Sequence, residues 1–229
     1  MTPRETVSRP PRSEFAESLR RGVLIGAAVL VVVVPPVVHY APRIYSAKPP
    51  AVQSRPLGRA DFGNEPVSAD VRRMAGWVAA SHDNGVRAFV VIDKPQARVY
   101  LFGPDAHLRA AATALLGSAR GDDTFPGVGD KPLKDVLPEE KTTPAGRFVA
   151  EVGESSTRGE DVVWVDYNAA VSMHRIIKVP ERLHAMATPD VNDNRMSFGC
   201  INLPDAFYEG QLRPAIDRWG LIVYVLPET

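Results

Sequence analysis

The chain is poor in the residues that usually announce a cofactor or a covalent framework. It has one cysteine in 229 residues, Cys200. A single thiol excludes an intramolecular disulfide and any Cys-rich zinc site. Its five histidines (His39, His82, His107, His174 and His184) show neither HExxH nor HxH spacing, so no metal and no cofactor is expected. Gly127-x-Gly129 lacks the third glycine and the strand–helix setting of a nucleotide cradle. No excess of either charge exists: 27 Lys+Arg stand against 27 Asp+Glu. Without a basic block interleaved with aromatics, nucleic-acid binding is not expected. No internal repeat is found. What is present, 45% apolar and 24% charged residues, excludes wholesale disorder and allows one domain with appendages.

The N-terminus bears on the compartment. Residues 1–21 form a polar tail with Arg4, Arg9, Arg12, Arg20 and Arg21, expected to be cytoplasmic. Gly22 to Pro42 then runs without a formal charge. At about 1.5 Å per residue this stretch reaches roughly 32 Å, the thickness of a bilayer's hydrocarbon core. Arg20-Arg21 favour a cytoplasmic N-terminus. The expectation is a single transmembrane signal anchor over 22–40, with the inner membrane as partner and the rest of the chain periplasmic or otherwise extracytoplasmic. A cleaved signal peptide is the competing reading, although Tyr45-Ser46-Ala47 is a poor cleavage site. Residues 41–85 read as a Pro-rich spacer and a short helix over 68–82, capped by Ser68 and stopped by Asn84-Gly85.

From residue 86 the pattern becomes strand-like. VRAFVVID (86–93) and ARVYLFG (97–103) read as a hairpin, and GRFVAEV (146–152), VVWVDY (162–167) and AAVSMHRI (169–176) as further strands. LRAAATALLG (108–117) fits helix or strand. The 118–145 segment is long enough for a functional loop and closes on Thr142-Thr143-Pro144-Ala145-Gly146. PDAFYEGQLRPAIDRWG (204–220) reads as a helix broken or kinked at Pro214, and LIVYVL (221–226) as a closing strand. At least six strands and about two helices make a β-rich α+β domain over 86–227.

Cys200 is either a small buried hydrophobe or a nucleophile. It stands in Ser197-Phe198-Gly199-Cys200-Ile201-Asn202, read as the junction of a strand and a helix start. There a helix dipole and free N–H groups would favour the thiolate. Gly199 would allow the sharp turn, and the N–H groups of Gly199 and Cys200 could form an oxyanion hole. His174 is the candidate base, and on a strand it shares its face with Ala170 and Ser172.

SFGCIN, preceded by a strand histidine and by TTPAG, resembles the YkuD-type L,D-transpeptidase catalytic domain, whose motif is a histidine followed by [S/T]-H-G-C-hydrophobic-N. The resemblance covers roughly 86–227 and implies a β-sandwich-type domain with the cysteine in a cleft. It implies peptidoglycan stem peptides as partners, Cys200 as nucleophile, His174 as general base then acid, Gly199 as turn and oxyanion donor, and Ser197 as cleft support. Phe198, Arg195 and Asn202 would line the substrate side, Asn202 as a structural residue of the motif. Three departures stand out. Phe198 replaces the motif histidine, and Arg175 replaces the glycine after the strand histidine, narrowing the acceptor side. His174 lies 26 residues before Cys200, which implies an insertion within 177–196. That insertion reads either as a flap with Arg195 available for a substrate carboxylate or as a solvated loop. His184, nearer in sequence, has no strand character. The implied activity is 3→3 crosslinking through a Cys thioester after loss of terminal D-alanine. An L,D-carboxypeptidase or amidase, or a non-catalytic peptidoglycan-binding protein, are the alternatives.

Overall fold

The computed structural model describes residues 58–155 and 159–228. The expected cytoplasmic tail, the anchor over 22–40 and the spacer up to residue 57 lie outside them. Among the described residues no helix is long and apolar enough to cross a membrane.

The first helix, α1 (Ala69–Ser81), forms where the sequence places it. Ser68 Oγ accepts the Val71 N–H at 3.2 Å, and Val71, Ala75, Val78 and Ala79 make one buried stripe. It stops at His82, which takes the left-handed conformation (φ 55°) and donates its N–H to Val78, rather than at Asn84-Gly85. Asn84 instead clamps the next turn, its Nδ2 donating to the Arg87 carbonyl at 2.7 Å. The stripe packs on Phe89, Tyr100, Phe102, Ile222 and Tyr224, so α1 belongs to the domain core. The apolar stripe needs the sheet to cover it.

Ten strands are found among the described residues: β1 (Ala88–Asp93), β2 (Arg98–Phe102), β3 (Leu108–Thr113), β4 (Leu116–Gly117), β5 (Gly146–Glu154), β6 (Asp161–Asp166), β7 (Val171–Arg175), β8 (Arg195–Ser197), β9 (Ile201–Leu203) and β10 (Leu221–Val225). Eight form one sheet in the order β3-β2-β1-β10-β5-β6-β7-β9, and β4 pairs with β8 alone. The architecture is therefore a β-rich mixed sheet. The ambiguous 108–117 segment resolves as two strands. β1 and β10 are parallel neighbours buried on both faces, which is why both read as continuous apolar runs.

One core cluster joins Val90 and Val99 near one end of the sheet to Met173 and Ile201 at the other. One face of the sheet thus shares a continuous interior from β2 to β9. That face is covered by Phe207, Tyr208, Leu212, Ala215 and Ile216. These come from α3 (Asp205–Phe207), a π-helical turn (Tyr208–Leu212) and α4 (Arg213–Trp219). Pro214 has no N–H to continue an i→i−4 ladder, and the wide turn just before it absorbs the mismatch.

The insertion between His174 and Cys200 is built rather than loose. It holds helix α2 (Pro180–Ala187) and strand β8. Ala185, with Met186 and Met196, packs against Leu115 and Ile176 in a small core of its own. The solvated-loop expectation does not describe it.

Candidate active site

The site is assembled on one sheet face. Along β7, Val171 and Met173 point into the core, so Ser172 and His174 share the opposite face. Register then sets their neighbours. Trp164 on β6 opposes Ser172, and Asn202 on β9 opposes His174 in the parallel pair.

Cys200 lies between β8 and β9. The helix start expected after it is a strand, and α3 begins only at Asp205, so no helix dipole acts on the thiol from that junction. Its Sγ sits 3.7 Å from Ser172 Oγ, and the thiol donates to the Ala170 carbonyl at 3.5 Å. Ala170 holds φ 52°, left-handed without being glycine, at the end of the turn from Tyr167. Strain of this kind is common next to reacting groups. His174 is 8% exposed, and its Nδ1 lies 2.7 Å from the Arg175 carbonyl. A carbonyl only accepts, so Nδ1 carries the proton and Nε2 is the basic nitrogen.

The cysteine loop is clamped from beneath. Ser197 Oγ donates to the Cys200 carbonyl at 2.6 Å and accepts the Gly199 N–H at 3.0 Å. The support role expected of Ser197 is therefore that of a staple across the turn. The same bond corrects the oxyanion role of Gly199: its N–H is turned inward and occupied. The Cys200 N–H has no hydrogen-bond partner among the described residues. Gly199 is needed for another reason. At φ 125°, a Cβ there would lie 2.7 Å from the Thr142 carbonyl oxygen.

Thr142 and Thr143 belong to the TTPAG element. Thr143 Oγ1 donates to the Gly199 carbonyl at 2.8 Å and accepts the Gly117 N–H at 2.9 Å. Below it, Lys94 is wholly buried, its Nζ donating to the Gly121 carbonyl (2.7 Å), Asp122 Oδ1 (2.6 Å) and the Thr143 carbonyl (2.9 Å). Three donors meet three acceptors, which is what makes a buried ammonium tolerable. The long 118–145 segment thus ties the first hairpin to the cysteine loop.

Two residues expected on the substrate side are not available there. Arg195 is 7% exposed, paired with the equally buried Glu228 and donating to the Lys94 carbonyl at 2.8 Å. It braces the C-terminus, because a guanidinium without these partners could not be buried. Asn202 is completely buried, accepting from Arg182 at 2.6 Å and donating to the Cys200 carbonyl at 3.4 Å. It is structural, linking the insertion helix to the cysteine loop. Phe198 does face solvent, 41% exposed, with Lys141 Nζ 4.2 Å above its ring.

Arg175 points away from the thiol. It pairs with Asp161 at 2.7 Å and with Glu209, and stacks over Tyr208 at 4.4 Å. Its hydrogen bond to Glu209, followed by its bond to Asp161, raises its pKa. Burial raises the Asp161 carboxyl, but the hydrogen bond and charge of Arg175, with Arg213 and the Tyr208 hydroxyl, outweigh it and hold the carboxyl below its ordinary value. Arg175 therefore fastens β7 to β6 and to the π-helical turn instead of narrowing the acceptor side. His184 is exposed on α2. Among the described residues no group of three or more His, Cys, Asp or Glu could hold a metal ion.

Sequence reasoning passed over Ser172 as a small neighbour and gave Thr143, Lys94 and Arg182 no role. Only Thr143 carried a signal, through the TTPAG element.

No family model and no curated protein matches the chain. Among solved structures it is similar to an L,D-transpeptidase from Mycobacterium smegmatis, at 18% identity and a TM-score of 0.38, over 61% of this chain and 58% of that one. It is also similar to an L,D-transpeptidase from Xylanimonas cellulosilytica, at 13% identity and a TM-score of 0.36, over 61% of this chain and 60% of that one. The chain thus spans less than two thirds of the length of either.

Proposed function

We propose that the chain is a cysteine acyltransferase of peptidoglycan stem peptides, an L,D-transpeptidase held outside the cytoplasm by its N-terminal segment. One observation carries the reading. The only thiol in the sequence is set beside Ser172, on the sheet face that also bears a histidine of fixed tautomer.

In this reading His174 Nε2 takes the thiol proton, and Sγ attacks the carbonyl of the penultimate diaminoacid of a stem tetrapeptide. The Cys200 N–H receives the developing oxyanion. Collapse breaks the amide bond and expels D-alanine, whose amine takes the proton from His174, leaving a thioester. The side-chain amine of a second stem then attacks, giving its proton to His174. A C–N bond forms, the C–S bond breaks, and the thiolate is reprotonated. Thr143, Ser197 and Asn202 hold the loop on which these steps occur.

Water in place of the amine would make the same site a carboxypeptidase. Phe198, standing where the family has histidine, favours a second reading, binding without turnover. Incubating the full-length chain with a tetrapeptide muropeptide separates them. Free D-alanine with 3→3 dimers, both lost in Cys200→Ala, is the expected result. D-alanine without dimers would indicate hydrolysis, and binding without D-alanine release would sink the enzymatic reading.

A further inference from the structure

The face that bears Ser172 and His174 is covered at both ends but open between them. Beside β10 the edge of α1 closes it, with Trp77 against Tyr224. Over β9, Arg182 and Asn202 close it. Between these, β5 carries Val149 at 54% exposure, and Trp164 of β6 stacks on Tyr167 of the turn that follows it. The ring centroids are 4.8 Å apart and the planes 24° from parallel, and Tyr167 is 60% exposed. Gly153 lets the indole lie flat across β5: a Cβ there would be 2.6 Å from its Cδ1 and Nε1. Leaving the Tyr167 ring at the surface and the Trp164 ring half-buried forgoes apolar burial the core could have used.

Their position relative to the thiol suggests what they meet. Trp164 is the register partner of Ser172, whose Oγ is 3.7 Å from Sγ. Tyr167 opens the turn that ends at Ala170, so those two Cα atoms lie within about 7 Å. The Ala170 carbonyl is itself 3.5 Å from Sγ. Directly opposed side chains have Cβ atoms about 5 Å apart, and the Tyr167 ring lies 4.8 Å from the indole, so the outer ring stands on the order of 10 Å from Ser172, the side chain beside the thiol. The carbonyl attacked in the proposed reaction belongs to the third residue of the stem, and three extended residues reach at most about 10–11 Å. A stem acylated at Cys200 and laid along this face brings the sugar that bears it to the ring pair. The apolar C–H face of a pyranose is flat and matches such a platform.

We propose that Trp164 and Tyr167 form a binding platform for an amino-sugar of the glycan strand, so that the donor is recognised by its carbohydrate as well as its peptide. This rests on the proposed function, whose site it extends.

The test compares two donors with the full-length chain: the bare stem tetrapeptide, and the same tetrapeptide on its disaccharide. The disaccharide-linked donor should have the higher kcat/KM by about tenfold, the equivalent of ~1.4 kcal/mol, expressed in KM. That ratio should fall toward one in Tyr167→Ala and in Trp164→Ala, and be partly kept in Trp164→Phe. A wild-type ratio near one, or a ratio untouched by Tyr167→Ala, overturns the platform while leaving the acyltransferase reading intact. If neither donor is turned over, the proposed function fails instead. Titration with the peptide-free disaccharide then decides the platform: a shift of the Trp164 indole N–H resonance supports it, and no shift refutes it.

Discussion

Thr143 is the residue through which fold and chemistry are most tightly joined, and Thr143→Val tests that joint. Valine keeps the shape and the β-branched backbone preference but removes the hydroxyl. Two buried backbone groups then lose their partner, the Gly117 N–H and the Gly199 carbonyl. Thr143 is 1% exposed, so water cannot replace it without opening the loop. An unsatisfied buried polar group costs about 1–3 kcal/mol, so the pair should cost roughly 2–4 kcal/mol after partial relaxation. For a domain of this size each kcal/mol moves the midpoint by about 2–4 °C, giving a drop of roughly 4–16 °C. Because Gly199 adjoins the proposed nucleophile, the variant should also acylate more slowly at temperatures where it remains folded. Thr143→Ser, which keeps the hydroxyl, should stay close to wild type in both assays. The reasoning is refuted if Thr143→Val melts within about 2 °C of wild type and acylates at the same rate.

Other outcomes follow from the same geometry. His174→Gln should lower the acylation rate by at least about 100-fold, the usual scale of a lost general base, while the exposed His184→Ala leaves it unchanged; stopped-flow acylation reads both. Arg195→Ala should destabilise the fold by about 3–5 kcal/mol by stranding the buried Glu228 carboxylate; a selective rise in KM for carboxylate-bearing donors, with no change in melting, would restore the substrate role denied to it here. Asp161 is held below its ordinary 3.8, so the unfolded chain binds the proton first as pH falls. Its contribution is complete above the ordinary carboxylate range and is lost as pH drops through the lowered value. Denaturant titrations from pH 5 to pH 2 should therefore show a shallower acid loss in Asp161→Asn than in wild type, and identical slopes would contradict the assignment.

Periodicity made much of this fold readable. The α1 stripe, the opening hairpin and the closing strand have local patterns strong enough to survive tertiary context. So does the alternation along β7 that places Ser172 and His174 together. Other features depend on contacts distant in sequence. Ala-rich LRAAAT becomes β3 because β2 offers an edge, which outweighs alanine's helical preference. The stretch after Cys200 becomes β9 because β7 and Leu115 pair with it. Polarity misled at Arg195, which looks like a surface residue and is buried only because Glu228 satisfies it; Asn202, expected to be structural, is held in its buried place by Arg182 from another element. Lys94 shows the same limit. A lysine in a hairpin turn reads as solvated until Gly121, Asp122 and Thr143 are brought over it.

The proposed chemistry stands on Cys200 as an acyl-accepting nucleophile. Its most direct test is the intact mass of the full-length chain after incubation with a carbapenem, a strained acyl donor, beside a Cys200→Ala control. The account predicts one stoichiometric adduct, absent in the variant and formed much more slowly in His174→Gln. A folded wild-type protein that gains no mass, or an adduct that persists in Cys200→Ala, would contradict it.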